Sequence, residues 1–200
     1  VNSSVDTQSK LIEFVRRELS KNDLGAHTLD HTIRVHSLSM QLSIGLPANK
    51  RVLEAAALLH DVGRPREEES GISHSISSGE MGRNILTEIG YSDMEIEQVV
   101  KAIRTHRFSE GIEPTSLEGQ ILSDADKLDA IGAIGIYRAI AQAATSERGM
   151  YGFLQHADKK LLKLKELMYT PTGEQLAVKR HKTLAMFVEE LRQELDMNHH

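Results

Sequence analysis

The sequence predicts an all-α, single-domain fold, on three observations. Apolar residues recur at three- and four-residue spacing through most of the chain. Aromatic residues make up only 4% and Trp is absent, so the core is built from Leu, Ile, Val, Ala and Met, which pack helix on helix. No pair of alternating apolar–polar segments is joined by a hairpin turn. With 200 residues and 40% hydrophobic content, the chain supports one well-buried core rather than two. One domain over residues 1–200 is therefore expected.

Taken in order, Leu11, Ile12, Val15 and Leu19 mark an amphipathic helix over 10–19, followed by a break at 21–25. Leu29, Ile33, Val35, Leu38 and Leu42 carry a second helix from about 26 to 44, stopped by Gly45 and Pro47. Residues 50–60 are Ala/Leu-rich and nearly uncharged, the pattern of a helix buried on most of its circumference. Gly63, Pro65, Gly71 and the charge cluster Arg64–Glu69 then predict a polar loop. Further helices are expected at about 73–89, 93–105, 117–145, 152–169 and 172–196, with Ser92 and Asp93 as caps and Thr172 with Gln175 as a capping box. The Leu/Phe face at Leu184, Phe187, Leu191 and Leu195 is expected to pack within the chain, as a monomer or a homodimer.

Several function classes are excluded or disfavoured by composition. The absence of cysteine rules out disulfides, thiolate metal sites and a cysteine nucleophile, leaving His, Asp and Glu as strong metal ligands. A net charge of −5 disfavours a protein that binds a long nucleic acid, whereas a small phosphorylated ligand needs only a few local cations. The polar N-terminus and the lack of a long apolar run predict a cytoplasmic protein with no membrane partner.

Three segments carry candidate chemistry. His60-Asp61 ends the most apolar helix, where polar groups cost several kcal/mol (~2–7) unless paired or metal-bound. His31 shares a helix face with His27, and Asp30 with Arg34, so one helix aims imidazole and guanidinium groups at one region. Residues 121–129 set Asp124, Asp126, Lys127 and Asp129 among Ile, Leu and Ala. Asp126 and Asp129 share a face, which offers Asp126 as a ligand and leaves Asp124 as an alternative or a helix-end residue.

His31, His60-Asp61 and Asp126, in this order and on separate helices, resemble the HD-domain superfamily of metal-dependent phosphohydrolases. The likeness covers roughly residues 24–145, through His27–Val35, Leu58-Leu59-His60-Asp61-Val62-Gly63 and Asp124-Ala125-Asp126-Lys127-Leu128-Asp129. Through Ala130–Gly135 it is similar to a short bacterial and archaeal branch that includes nucleotide pyrophosphohydrolases; Thr28 departs from that branch, which often has Asp there.

The resemblance implies an HD-type helical bundle with a metal-binding core at about 24–145 and C-terminal helices at about 150–196. It also implies an enzyme whose divalent metal is held by His31, His60, Asp61 and Asp126, with manganese first and Mg²⁺, Fe²⁺, Co²⁺ or Ni²⁺ as alternatives. The metal would activate water for attack on a nucleoside di- or triphosphate. Asp61, His74, His106 and Lys127 are the expected catalytic groups, and Arg34, Arg64 and Arg104 the phosphate-binding cations. Alternatives are a phosphomonoesterase, a cyclic phosphodiesterase, or a nucleotide sensor without turnover. Glu67, Glu68 and Asp129 rank as weaker base candidates, the run Glu67–Glu69 being read as a solvated loop.

Overall fold

The computed structural model describes residues 2–20, 28–107, 110–146 and 148–197. Among them are ten α-helices and no strand: α1 (Asn2–Leu19), α2 (Leu29–Leu42), α3 (Lys50–Leu59), α4 (Arg64–Ser70), α5 (His74–Glu88), α6 (Asp93–Thr105), α7 (Leu117–Asp129), α8 (Gly132–Thr145), α9 (Gly149–Lys159) and α10 (Pro171–Met197). A 3-10 segment, Leu161–Leu167, lies between α9 and α10. None of the described helices is long and apolar enough to cross a membrane. The all-α expectation holds. Two compact units make up the chain, Val1–Asp126 and Lys127–His200.

In the first unit α3 is the central element. Val52, Leu53, Leu58 and Leu59 are wholly buried, as are the three alanines between them. Each buried leucine contributes roughly 1.5–3 kcal/mol. The alanines allow α1, α2 and α6 to pack against α3, while α5 pairs with α6. Asn49 caps α3 by accepting from the Arg51 and Val52 amides, and Ser92 with Glu95 closes a full capping box on α6. The apolar stripe of α3 therefore ends at His60 in the interior of the unit rather than at solvent.

The second unit has its own core of Phe153, Leu161, Leu164, Ala177, Leu184 and Val188. There α8 packs on α9 and α10, and the 3-10 segment on both α9 and α10. Leu184 is wholly buried and Phe187, though partly exposed, meets the Phe153 ring edge-on at 5.8 Å, so the start of this face packs inside the chain, while Leu191 and Leu195 are half-buried.

Four local expectations are corrected. Residues 64–70 form the short helix α4, not a polar loop. Pro65 stands in its first turn, where its missing N–H costs nothing, and Gly71 at φ +73° is a left-handed C-terminal cap. The single helix expected over 117–145 is two, because the chain turns at Ala130–Ile131 and Gly132 takes φ +74°. The helix expected over 152–169 splits into α9 and the 3-10 segment. The cap of α10 is Thr170, whose hydroxyl accepts from the Gly173 amide ahead of Pro171, in place of Thr172 with Gln175.

Candidate metal centre

Helix geometry gathers the polar residues of the first unit. His31 projects from the first turn of α2, His60 is the C-cap of α3, Asp61 follows in the turn, and Asp126 lies in the last turn of α7. Gly63 lets this turn approach α5: its amide donates to Ser78 Oγ at 2.8 Å. A Cβ at Gly63 would stand 2.6 Å from the Ser78 backbone nitrogen and 2.9 Å from the His74 carbonyl oxygen, so no side chain fits. That contact brings His74, first residue of α5, to Asp61.

The two oxygens of Asp61 face different histidines. Oδ2 is 3.6 Å from His31 Nε2 and 3.8 Å from His60 Nε2, while Oδ1 is 3.1 Å from His74 Nε2 and 3.8 Å from His106 Nε2. His31 Nε2 is in turn 3.5 Å from Asp126 Oδ1 and 3.3 Å from His60 Nε2. His31, His60 and Asp126 bring ligand atoms within 4.8 Å of one another, and so do His60, Asp61 and His106. Asp126 keeps 32% of its side-chain surface exposed, whereas the four histidines and Asp61 are buried.

Tautomers sharpen this geometry. His60 Nδ1 donates to the Ala57 carbonyl at 2.8 Å and His106 Nδ1 to the Ile103 carbonyl at 2.6 Å, the only role a carbonyl partner permits. In the neutral rings each Nε2 therefore carries a lone pair. Neutral rings are what the surroundings favour. Burial drives His60 down to about 3, with His106 and His31 pushing the same way against Asp61, and burial likewise lowers His106. Burial pushes the Asp126 carboxyl up, but His31 and His60 beside it outweigh that and hold it below the usual carboxylate range.

Lone pairs thus point at a carboxylate that can only accept. His74 Nε2, 3.1 Å from Asp61 Oδ1, is buried without a hydrogen bond. The Arg64 guanidinium stands 3.1 Å from Asp61 Oδ1, and the acceptor pairs beside it are repulsive unless a further cation lies among them. Two histidines and two aspartates form the nitrogen/oxygen donor set that first-row divalent ions take. The residues fit a metal.

The HD-domain family model matches residues 28–131, more than half of the chain and all of this cluster. The chain belongs to the HD-domain family. It is 31% identical over 199 residues to YpgQ, an uncharacterized protein of Bacillus subtilis, covering 94% of both chains. An HD-superfamily hydrolase from Bacillus thuringiensis has 34% identity and a TM-score of 0.75, over 96% of this chain and 97% of that one. The crystal structure of Bacillus subtilis YpgQ in complex with ADP superposes with a TM-score of 0.78 at 27% identity, over 96% of each chain. This HD-domain protein is a metal-dependent hydrolase of the phosphohydrolase type, and its metal is divalent.

Around the HD cluster, Arg64 comes closest of the expected cations, with Nε 3.1 Å from Asp61 Oδ1 and Nη1 3.4 Å from Glu67. Arg34, three residues beyond His31 on α2, is half-buried. Arg104 lies in the last turn of α6 with its Nε buried and without a hydrogen bond. Lys127 is buried within the second unit, donating to the Leu167 carbonyl at 2.8 Å with its nitrogen 4.4 Å from the Tyr169 ring centroid. His27 lies outside the described residues.

Sequence reasoning missed the groups behind His74. Glu67, expected in a solvated loop, accepts from His74 Nδ1 at 2.8 Å and from Arg107 Nη1 at 2.7 Å. Burial pushes its carboxyl up, but these two hydrogen bonds outweigh it and bring the pKa to about 2. Arg107 Nη1 also reaches Glu110, which accepts from the hydroxyls of Ser73 and Ser75. The available signal was spacing: Asp61, Arg64 and Glu67 stand three apart, one face of a helix, if 64–70 is read as a helix.

Proposed function

We propose that this chain hydrolyses nucleoside di- or triphosphates, holding its metal through His31, His60, Asp61 and Asp126. The observation that carries the metal assignment is Asp61, buried with the lone-pair-bearing Nε2 atoms of His60 and His106 3.8 Å from its oxygens. Support for a nucleotide comes from the similar YpgQ having been crystallised with ADP. When bound, a divalent ion supplies Lewis acidity at a phosphoryl oxygen and lowers the pKa of water.

The chain's own groups do the rest. Asp61 Oδ1 accepts the proton of the attacking water, since it is the carboxylate oxygen turned toward His74 and His106. His74 and His106 face the phosphoryl group, and Arg64, Arg34 and Arg104 neutralise charge that accumulates on it. Lys127, anchored at Leu167 and Tyr169, belongs to this set by family resemblance alone. Manganese is the first metal to test, ahead of Mg²⁺, Fe²⁺, Co²⁺ and Ni²⁺. A second cation would be held by Asp61, His74 and His106 in place of these roles, a reading favoured by the two ring nitrogens that approach Asp61 Oδ1.

The test is a screen of divalent metals against nucleotides and simple phosphate esters, run beside a His60→Ala, Asp61→Ala double variant. The expected result is release of phosphate or pyrophosphate from nucleotides that disappears in the variant. Activity confined to monoesters would replace this reading with a phosphomonoesterase. Tight nucleotide binding without solvent oxygen entering product would replace it with a sensor. Elemental analysis of the same samples distinguishes one metal per chain from two.

A further inference from the structure

We propose that Glu67 is a positioning residue for His74, holding the ring by a hydrogen bond at Nδ1 so that Nε2 faces Asp61. Only the kinetic part of the test below rests on the phosphohydrolase reading.

A chain of contacts carries this inference. His74 is wholly buried, and its two nitrogens face two different carboxylates: Nδ1 meets Glu67 Oε2 at 2.8 Å and Nε2 stands 3.1 Å from Asp61 Oδ1. Only the Nδ1 contact is hydrogen-bonded; Nε2 is without one. A carboxylate accepts and never donates, so Nδ1 bears a proton in this contact. His60 and His106 hold the same Nδ1 proton through backbone carbonyls one helical turn back. At His74, first residue of α5, no preceding turn exists to supply a carbonyl. Glu67 takes that part from another helix.

Glu67 is itself held. Oε1 accepts from Arg107 Nη1 at 2.7 Å, and Arg64 Nη1 is 3.4 Å from Oε2. Its neighbours Glu68 and Glu69 are exposed. The short helix α4 makes the arrangement possible, since one turn separates Arg64, beside Asp61, from Glu67, beside His74. Partners of this kind, which orient a ligand or catalytic imidazole from behind, are associated with roughly ten- to hundredfold effects on metal affinity or activity.

The experiment reads the tautomer directly. Long-range ¹H–¹⁵N NMR correlations of the full chain, with and without diamagnetic Mg²⁺, distinguish Nδ1–H, Nε2–H and doubly protonated rings, with His74→Gln used to assign the signal. The wild type is expected to show His74 with a proton on Nδ1. Glu67→Ala should move it to Nε2–H or a mixture, and Glu67→Gln, whose amide oxygen still accepts, should restore Nδ1–H. In nucleotide hydrolysis, Glu67→Ala should lower kcat by about ten- to hundredfold with little change in KM. It should add nothing in a His74→Ala background. Arg107→Ala serves as the structural control, because it loosens Glu67 without removing its oxygen. A His74 signal that lacks Nδ1–H in the wild type, or that keeps it undiminished in Glu67→Ala, would overturn the proposal. So would an equal tautomer change in Arg107→Ala. Absence of hydrolysis of every nucleotide would count against the proposed function while leaving the tautomer result to decide the role of Glu67.

Discussion

Two groups of buried charges, one in each unit, are handled in opposite ways. In the second unit, Asp129 is wholly buried and accepts from Arg138 Nη1 at 2.9 Å, while the same nitrogen donates to the Asp129 carbonyl. Lys127 donates to a carbonyl and lies over an aromatic face, and Arg180 Nη1 donates to the Leu128 carbonyl at 2.5 Å. Donor meets acceptor throughout. In the first unit, Asp61 and four buried histidines place ring nitrogens opposite carboxylate oxygens at 3.1–3.8 Å. Charges of the first kind hold the fold together, and the second group is a set of donor atoms that fits a cation, even with the Arg64 guanidinium 3.1 Å from Asp61 Oδ1. Burial of an acid therefore points to a metal site where lone pairs, and not donors alone, face it.

The largest expected effect tests the first unit. Asp61→Asn keeps the volume of the side chain but removes its charge, so metal-dependent turnover should fall by more than about a hundredfold, since outer-shell partners alone reach that size. The rise in thermal midpoint on adding metal should vanish with it, because a ligand stabilises only the state that binds it. A metal-induced rise that survives in Asp61→Asn would break the contrast. Next in size is Arg138→Ala in the second unit. Taking the guanidinium from a buried carboxylate should cost about 3 kcal/mol in urea unfolding, with the metal-induced rise unchanged. Loss of metal response in Arg138→Ala would show that the two groups are not separable as described.

The same contrast governs what was legible in the sequence. His31, His60, Asp61 and Asp126 stand out because polar ligand types interrupt strongly apolar helices; helical period offers Asp126 but leaves Asp124 open, and only the family resemblance chooses between them. The structure brings those four together. What stayed hidden depends on short elements and on approach between them. Gly63, Pro65 and Gly71 read as loop punctuation, yet Pro in a first turn and Gly just past the last are also the ends of a helix, and seven residues are too few for periodicity to decide. Glu67 accordingly looked solvated. Gly132 was invisible as a break because apolar residues continue on both sides of it. Arg107, Glu110, Ser73 and Ser75 come from segments more than thirty residues apart, and no local pattern joins them.

The smallest expected effect sits at the border of the metal cluster. Burial pushes the Glu110 carboxyl up, but the hydroxyls of Ser73 and Ser75 outweigh this and lower it below the usual glutamate value. A carboxyl lowered in the folded state is protonated first in the unfolded one, so as pH falls the unfolded chain gains a proton that the folded chain refuses. Its contribution is complete above the ordinary glutamate value and disappears as pH falls through the lowered one. Glu110→Gln, which still offers an acceptor to the two hydroxyls, should therefore cost about 1 kcal/mol or less at pH 7 and flatten the acid loss of stability below about pH 4.5. Urea midpoints measured from pH 7 down to pH 3 read both quantities. An unchanged acid slope would mean that the serines and Arg107 hold Glu110 by shape rather than by charge, placing it with the paired charges of the second unit instead of at the edge of the metal site.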